Sequence, residues 1–235
     1  MISQKATTKN CAFSVFNFSP DRVYFVYVMF SNGGSIMHTC QVLPEGYREY
    51  YSVDLQKDKK TALFVNVLSA ILALVVGIPM HFHYPIWHLF DMSDGFGPYL
   101  TRMAVFIVSI FAYICLHELT HAAVMKYYGA KKVRFGFTGL YAYAGSVEDY
   151  FAKIPYIHTA IAPVIVWGIV FLVLSLFLKG AWLWITYALQ ILNVSGAAGD
   201  LFVAVKFSRF PEDILVQDTG VDMTVYSKEE AADEL

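Results

Sequence analysis

Four stretches of this 235-residue chain are long and apolar enough to cross a lipid bilayer as helices. A bilayer core about 30 Å thick requires roughly 20 consecutive apolar residues in a helix. Only 15% of all residues are charged, against about 25% in an ordinary soluble domain. A buried four-helix core is the alternative, but the chain has no long amphipathic helices left to cover one. We therefore predict four transmembrane helices, over residues 61–80, 103–125, 159–178 and 181–205.

Lysine and arginine lie unevenly around these four predicted spans, and such residues concentrate on the cytoplasmic side of membrane proteins. One side carries only Arg102 and Lys179. The other side carries Lys57, Lys59, Lys60, Lys126, Lys131, Lys132, Arg134, Lys153, Lys206 and Arg209. We therefore expect a multi-pass protein of the cell membrane with both termini in the cytoplasm. The net charge of −2 gives no field that would attract nucleic acid, and we expect no such partner.

The predicted fold class is a mainly α polytopic membrane protein with two small β segments. Residues 1–60 form an N-terminal cytoplasmic segment in which 22–43 resemble a β-hairpin, because two apolar runs flank the turn residues SNGGS. Residues 61–205 form the four-helix transmembrane domain, with a second short hairpin over 131–150 between the second and third spans. Residues 206–235 are rich in acidic side chains, and we expect a solvated, partly disordered cytoplasmic tail.

The four predicted spans contain only two charged side chains, Glu118 and Asp200. Glu118 belongs to the sequence His-Glu-Leu-Thr-His at 117–121. Residues i and i+4 share one face of a helix, so His117 and His121 can hold one Zn²⁺ while Glu118 acts as the general base. A carboxylate inside a span costs about 2.5–3.5 kcal/mol, and a metal ion would compensate for it. A polar patch that joins two helices is the alternative.

A catalytic zinc site needs a third protein ligand beside the two histidines. Asp200 lies six residues before Lys206 and His121 lies five residues before Lys126. The two side chains therefore reach a similar depth, about 9 and about 8 Å from the cytoplasmic edge. We predict that Asp200 is the third ligand. Glu148, in the connection between the second and third spans, is the rival, and Asp200 could instead be solvated at the membrane surface.

Asn193 lies two helical turns before Asp200 on the same face. It is a candidate for hydrogen bonding to a substrate carbonyl or to the developing oxyanion, and a structural interhelical hydrogen bond is equally compatible with its position. The small residues at 195–199 would let two helices approach closely.

A second group of histidines, His81, His83 and His88, lies on the opposite side of the membrane. There an amphipathic interfacial loop is a better interpretation than a second metal site.

With these motifs in place, the chain resembles the bacterial zincin-peptidase family of small multispanning membrane proteins, which is itself similar to the site-2 intramembrane metalloproteases. The resemblance covers roughly residues 100–220. It is carried by His117, Glu118, His121, the Tyr-Ala-Gly stretch at 143–145, Ala162, Pro163, the stretch from Asn193 to Asp200, and residues 217–220. Site-2 proteases place a glycine after the ligating aspartate. In this chain a glycine precedes Asp200 instead.

These observations predict a zinc metalloprotease that hydrolyses a peptide bond of a membrane protein near the cytoplasmic leaflet. His117, His121 and Asp200 would hold Zn²⁺, and Glu118 would move the proton. The glycine-rich hairpin at 135–145 could pair with an unwound substrate by adding it as a strand. A lipid-modifying metalloenzyme remains an alternative, as does a non-enzymatic transporter subunit or immunity factor. The sequence predicts no oligomeric state.

Overall fold

The structure is a computed structural model that describes residues 38–54, 56–139 and 141–228. The described part is mainly helical, with a small antiparallel sheet at one end. The helices are α1 (Lys59–His83), α2 (Phe96–Tyr127), α3 (Lys153–Phe177), α4 (Gly180–Gly196) and α5 (Ala198–Ser208), with a 3₁₀ helix over Ile86–Phe90. The strands are β1 (Thr39–Cys40), β2 (Tyr47–Asp54), β3 (Arg134–Phe137), β4 (Ala142–Ala152), β5 (Leu215–Asp218) and β6 (Asp222–Lys228).

Three of these helices, α1, α2 and α3, are each long and apolar enough to cross a membrane. The bent pair of α4 and α5 makes a fourth candidate if the two helices count as one span. The structure extends three of the four predicted spans at both ends and the third span at its N-terminal end, because polar residues at helix termini stay in water. Helix α1, for example, begins at Lys59, where the Asp58 side chain accepts hydrogen bonds from the backbone N–H groups of Lys60 and Thr61.

The prediction of one continuous helix over 181–205 was wrong in one respect. The helix is broken at Ala197, and α4 and α5 meet at 40°. The break falls within the small residues Ser195–Gly199, where the backbone is poorly protected and glycine disfavours a helix. As a result Asp200 lies in the first turn of α5. A carboxylate is favourable there, because the helix dipole presents its positive end.

The sheet is assembled from distant parts of the chain. Its strand order is β1-β4-β5-β6-β2, every pairing is antiparallel, and β3 pairs with the first half of β4. Strand β4 is unusually long at 11 residues, so β3 pairs with Ala142–Gly145 and β1 pairs with Tyr150 and Phe151. The predicted hairpin between the second and third spans corresponds to β3 and β4.

The two terminal segments compare differently with their predictions. The expected solvated tail was wrong for residues 215–228, which form β5 and β6 and pair with β4 and β2. Acidic composition had suggested solvation, but the Leu215, Val216 and Val225 side chains are buried. The predicted hairpin over 22–43 lies mostly outside the described residues, and its described end includes the short strand β1.

The sheet and the helices share one hydrophobic core. Phe207 of α5, Phe151 of β4 and Val216 of β5 are fully buried there, and the ring of Tyr156 in α3 stacks on Phe207. The helix ends that carry Lys126, Lys153 and Lys206 are therefore fixed against the sheet. The histidines and the aspartate singled out from the sequence lie just beyond this core, between the helices.

Candidate metal centre

Helix α2 presents both histidines of the 117–121 motif on one buried face. One helical turn separates them, and their Nε2 atoms lie 3.2 Å apart. Only 9% of His117 and 8% of His121 is exposed. Two imidazole nitrogens so close together, away from bulk water, require a shared partner that accepts both lone pairs or both protons.

Asp200 supplies the opposite charge from α5. Its Oδ2 lies 3.3 Å from His117 Nε2, and its Oδ1 lies 3.6 Å from His121 Nε2. The break between α4 and α5 is what directs this first-turn side chain toward α2. The Asp200 side chain is 27% exposed, so the three groups meet at the edge of an open space and not inside solid packing.

These separations fit a zinc ion. Two ligands at about 2.0–2.1 Å from a tetrahedral zinc lie about 3.3 Å from each other. The observed donor–donor distances are 3.2, 3.3 and 3.6 Å. Two imidazoles and one carboxylate also form a donor set that catalytic zinc sites use. A carboxylate oxygen of Glu118 and one nitrogen of each histidine lie within 4.8 Å of one another, so Glu118 is close enough to serve as a base.

The ring of His121 is held from behind by a backbone carbonyl. Its Nδ1 lies 2.9 Å from the Thr159 oxygen on α3, so Nδ1 donates and Nε2 is left free as a ligand. Pro163 explains why this oxygen is available. A proline has no N–H, and in α3 the missing bond is the one that would reach the carbonyl four residues earlier, at Thr159. The imidazole N–H of His121 donates to the Thr159 carbonyl in place of the missing backbone N–H.

The ring of His117 is held by a hydrogen-bonded chain. The Tyr113 hydroxyl lies 3.0 Å from His117 Nδ1 and donates to Asn193 Oδ1 at 3.0 Å. The Tyr113 oxygen therefore accepts from Nδ1–H, which again leaves Nε2 free. The Asn193 amide nitrogen donates to the Val164 carbonyl at 3.1 Å. Both histidines thus have the outer contacts typical of metal ligands.

Three sequence candidates differ in where the structure places them. Asn193 is fully buried with both ends of its amide in use, so it does not face the cavity as an oxyanion donor would. Glu148, the rival ligand, is 56% exposed and pairs with Arg134 at 3.7 Å. Of the distal histidines, His81 lies edge-on to Trp87 and His88 stacks on Tyr84, as in an aromatic loop.

The candidate metal ligands His117, His121 and Asp200 line a cavity of about 670 Å³. Helices α1 and α2, the β3–β4 hairpin and the turn between β5 and β6 all contribute to its walls. This turn approaches β4 very closely, because a Cβ on Gly145 would overlap the backbone of Thr219 and Gly220. The sheet therefore forms part of the cavity wall at the end where the polar helix termini lie.

Asp218 is a cavity residue that reasoning from the sequence did not single out. Its carboxylate accepts a hydrogen bond from the Tyr156 hydroxyl at 2.9 Å and another from the Gly220 N–H at 2.7 Å. Burial raises the pKa of Asp218 to about 6, although both hydrogen bonds act in the opposite direction. In the sequence, Asp218 belongs to residues 217–220, which are part of the family resemblance but indicated no role for this residue.

Comparison with known proteins gives one family match. Residues 110–215 match the model of the family described as "Putative zincin peptidase". The match supports a zincin-like metallopeptidase. The matched zincin region contains both histidines, Glu118, Asp200 and the outer contacts Tyr113, Thr159 and Asn193, and it leaves α1 and β6 outside. Searches of curated proteins and of solved structures each gave no significant match.

Proposed function

We propose that this protein is a membrane-embedded zinc metalloprotease that cleaves a membrane or membrane-proximal protein near the cytoplasmic leaflet. The observation that carries the proposal is the meeting of His117, His121 and Asp200 at zinc-ligand separations, with Glu118 beside them. Zinc bound there would supply Lewis acidity, which brings the pKa of water to about 7 and polarises a carbonyl.

Glu118 performs the proton transfers in this proposal. Hydrolysis adds water across the peptide C–N bond, so a new C–O bond forms and the leaving nitrogen needs a proton. The Glu118 carboxylate lines the cavity, takes a proton from the attacking water and gives it to the leaving amine.

The location of the cavity explains how water reaches a site between apolar helices. The ligands lie within about 8–14 Å of Lys126 along α2, near the end that packs on the sheet. In our proposal this end is cytoplasmic, because the lysines and arginines concentrate there. Large exposed apolar side chains on α1 and α3, such as Leu74 and Leu172, would face lipid.

Strand β4 offers the substrate a template. Along Ala142–Ala144 it pairs with β3 on one edge, whereas β5 pairs with β4 only from Ser146 onward. No described strand occupies the second edge over these three residues, and all three line the cavity. A substrate unwound from its helix can pair with this edge in extended form, which presents a peptide bond to Glu118.

The test compares wild type with Glu118→Gln, which removes the base and keeps the shape of the side chain. Both are expressed in the same host, and new protein N-termini in the membrane fraction are quantified by mass spectrometry. We expect a set of N-termini that is present with wild type and absent with Glu118→Gln. The same set of N-termini in both cultures, at equal expression and zinc content, would contradict proteolysis.

A further inference from the structure

The cavity has a polar side on α1, the helix that lies outside the region matched to the zincin family. Four α1 residues line the cavity: Ala62, Val65, Asn66 and Ser69. Their spacing of i, i+3, i+4 and i+7 places them on a single face of the helix. The rest of α1 consists mainly of large apolar side chains, among them Leu63 at 65% and Val67 at 49% exposure.

Asn66 is exposed on this face and makes no hydrogen bond to any described residue. An amide is an expensive side chain in an apolar span unless it has a partner. It lies about 10 Å along α1 from Lys59, while His121 and His117 lie about 8 and 14 Å from Lys126 along α2. Its depth is thus the depth of the metal ligands.

We infer that Asn66, with Ser69 one turn further on, binds the backbone of an extended peptide substrate. This inference rests on the proposed function. A substrate strand that pairs with β4 along one edge leaves the N–H and C=O groups of its other edge without partners. Unpaired backbone groups are costly away from water. The carboxamide of Asn66 carries a donor and an acceptor, so it can satisfy one group of each kind.

Asn193 was the sequence candidate for this role, with a structural hydrogen bond as the equal alternative. In the structure Tyr113 and Val164 are its partners, and both ends of its amide are in use. Asn66 is the cavity-lining asparagine of the described chain, and it belongs to α1, a helix that carries none of the metal-ligand candidates. All peptides share these backbone groups, so their recognition would not discriminate between substrate sequences. Any sequence preference would then depend on the apolar side chains that line the rest of the cavity.

The experiment uses two probes that both carry a zinc-binding hydroxamate. One is a tripeptide hydroxamate, which has backbone amides, and the other is acetohydroxamate, which has no peptide backbone. Binding to the zinc-loaded protein in detergent is measured by calorimetry. Asn66→Leu, which is nearly the same size, should weaken the tripeptide probe about fivefold, the effect of losing one neutral hydrogen bond. Binding of acetohydroxamate should not change.

Val67→Leu is the matched control, because it introduces the same residue on the lipid-facing side of α1. Asn66→Gln retains the amide and should restore part of the tripeptide affinity. Unchanged tripeptide binding in Asn66→Leu overturns the inference and leaves the proposed protease intact. Equal weakening of both probes also overturns it, since the effect would then lie at the metal. A wild type that binds neither probe overturns the proposed function itself.

Discussion

On one side of the cavity, His117, His121 and Asp200 form what we call the ligand wall, and each imidazole there is hydrogen-bonded from behind. Another side of the cavity is formed by α1, which presents Asn66 and Ser69 without hydrogen-bond partners among the described residues. The first side is held rigid before anything binds. The second has unused hydrogen-bonding capacity. The difference indicates that one side fixes a metal and the other contacts a variable ligand, because preorganisation is needed only where geometry must not change.

Among the changes to the ligand wall, removal of the Asp200 side chain should have the largest effect on zinc affinity. Asp200→Ala should lower zinc affinity by at least about 100-fold, because a ligand is lost and not merely an outer contact. Zinc affinity is measured by competition with a chelator of known affinity. Glu148→Ala removes a carboxylate that pairs with Arg134 at the surface, and it should leave the affinity unchanged. The opposite ranking of the two variants would identify Glu148 as the ligand.

Removal of one hydroxyl tests the support behind the ligand wall. Tyr113→Phe breaks the chain from His117 to Asn193 and should lower zinc affinity about tenfold, as is usual for outer contacts of metal ligands. Tyr187→Phe is the control, since that hydroxyl donates to the Val76 carbonyl instead. Equal affinities in both variants would mean that the hydrogen-bonded chain does not orient His117.

A smaller effect is expected at Pro163. Pro163→Ala restores an N–H that competes for the Thr159 carbonyl and so weakens the bond from His121. Zinc affinity should fall by about threefold to tenfold, while the melting temperature should not fall, because alanine favours a helix. Pro79→Ala in α1 is the matched control and should leave zinc affinity unchanged. A loss of stability without a change in zinc affinity would assign Pro163 a purely structural role.

The smallest effect concerns Asp218 on the sheet side of the cavity. Its pKa is raised from 3.8 to about 6, so the folded state disfavours the charged form. Its contribution to stability is therefore complete below about pH 4 and is lost as the pH rises through 6. In metal-free protein, Asp218→Asn should reduce the fall in the free energy of unfolding between pH 4 and 7 by an amount on the order of 1 kcal/mol, and the melting temperature at each pH measures this change. Identical pH profiles would contradict the raised pKa.

The sequence predicted those parts of the site that depend on local geometry. A spacing of four residues is sufficient to place His117 and His121 on one helix face, and the distance from Lys206 anticipated the depth of Asp200. The stretch at 195–199 was interpreted as a close helix contact, although in the structure it is where the helix breaks. Small residues permit both outcomes, and tertiary packing decides between them.

The parts that the sequence did not predict depend on contacts between distant residues. The pairing of β2 with β6 joins residue 47 to residue 228, and no local pattern encodes such a partnership. The partner of His121 is a backbone carbonyl, which every residue possesses, so only the proline four residues later hinted at it. Asn193 illustrates the same limit, because its type suggested a hydrogen bond but its direction depends on how α3 and α4 pack.

The central claim is that this ligand wall holds a zinc ion, and metal content measures it most directly. Wild type, Glu118→Gln and His117→Ala are purified in detergent, exposed to zinc, desalted and analysed by mass spectrometry for metal per chain. We expect about one zinc per chain in wild type and in Glu118→Gln, and far less than one in His117→Ala. A wild type without zinc, or a His117→Ala variant that retains it, would contradict the account.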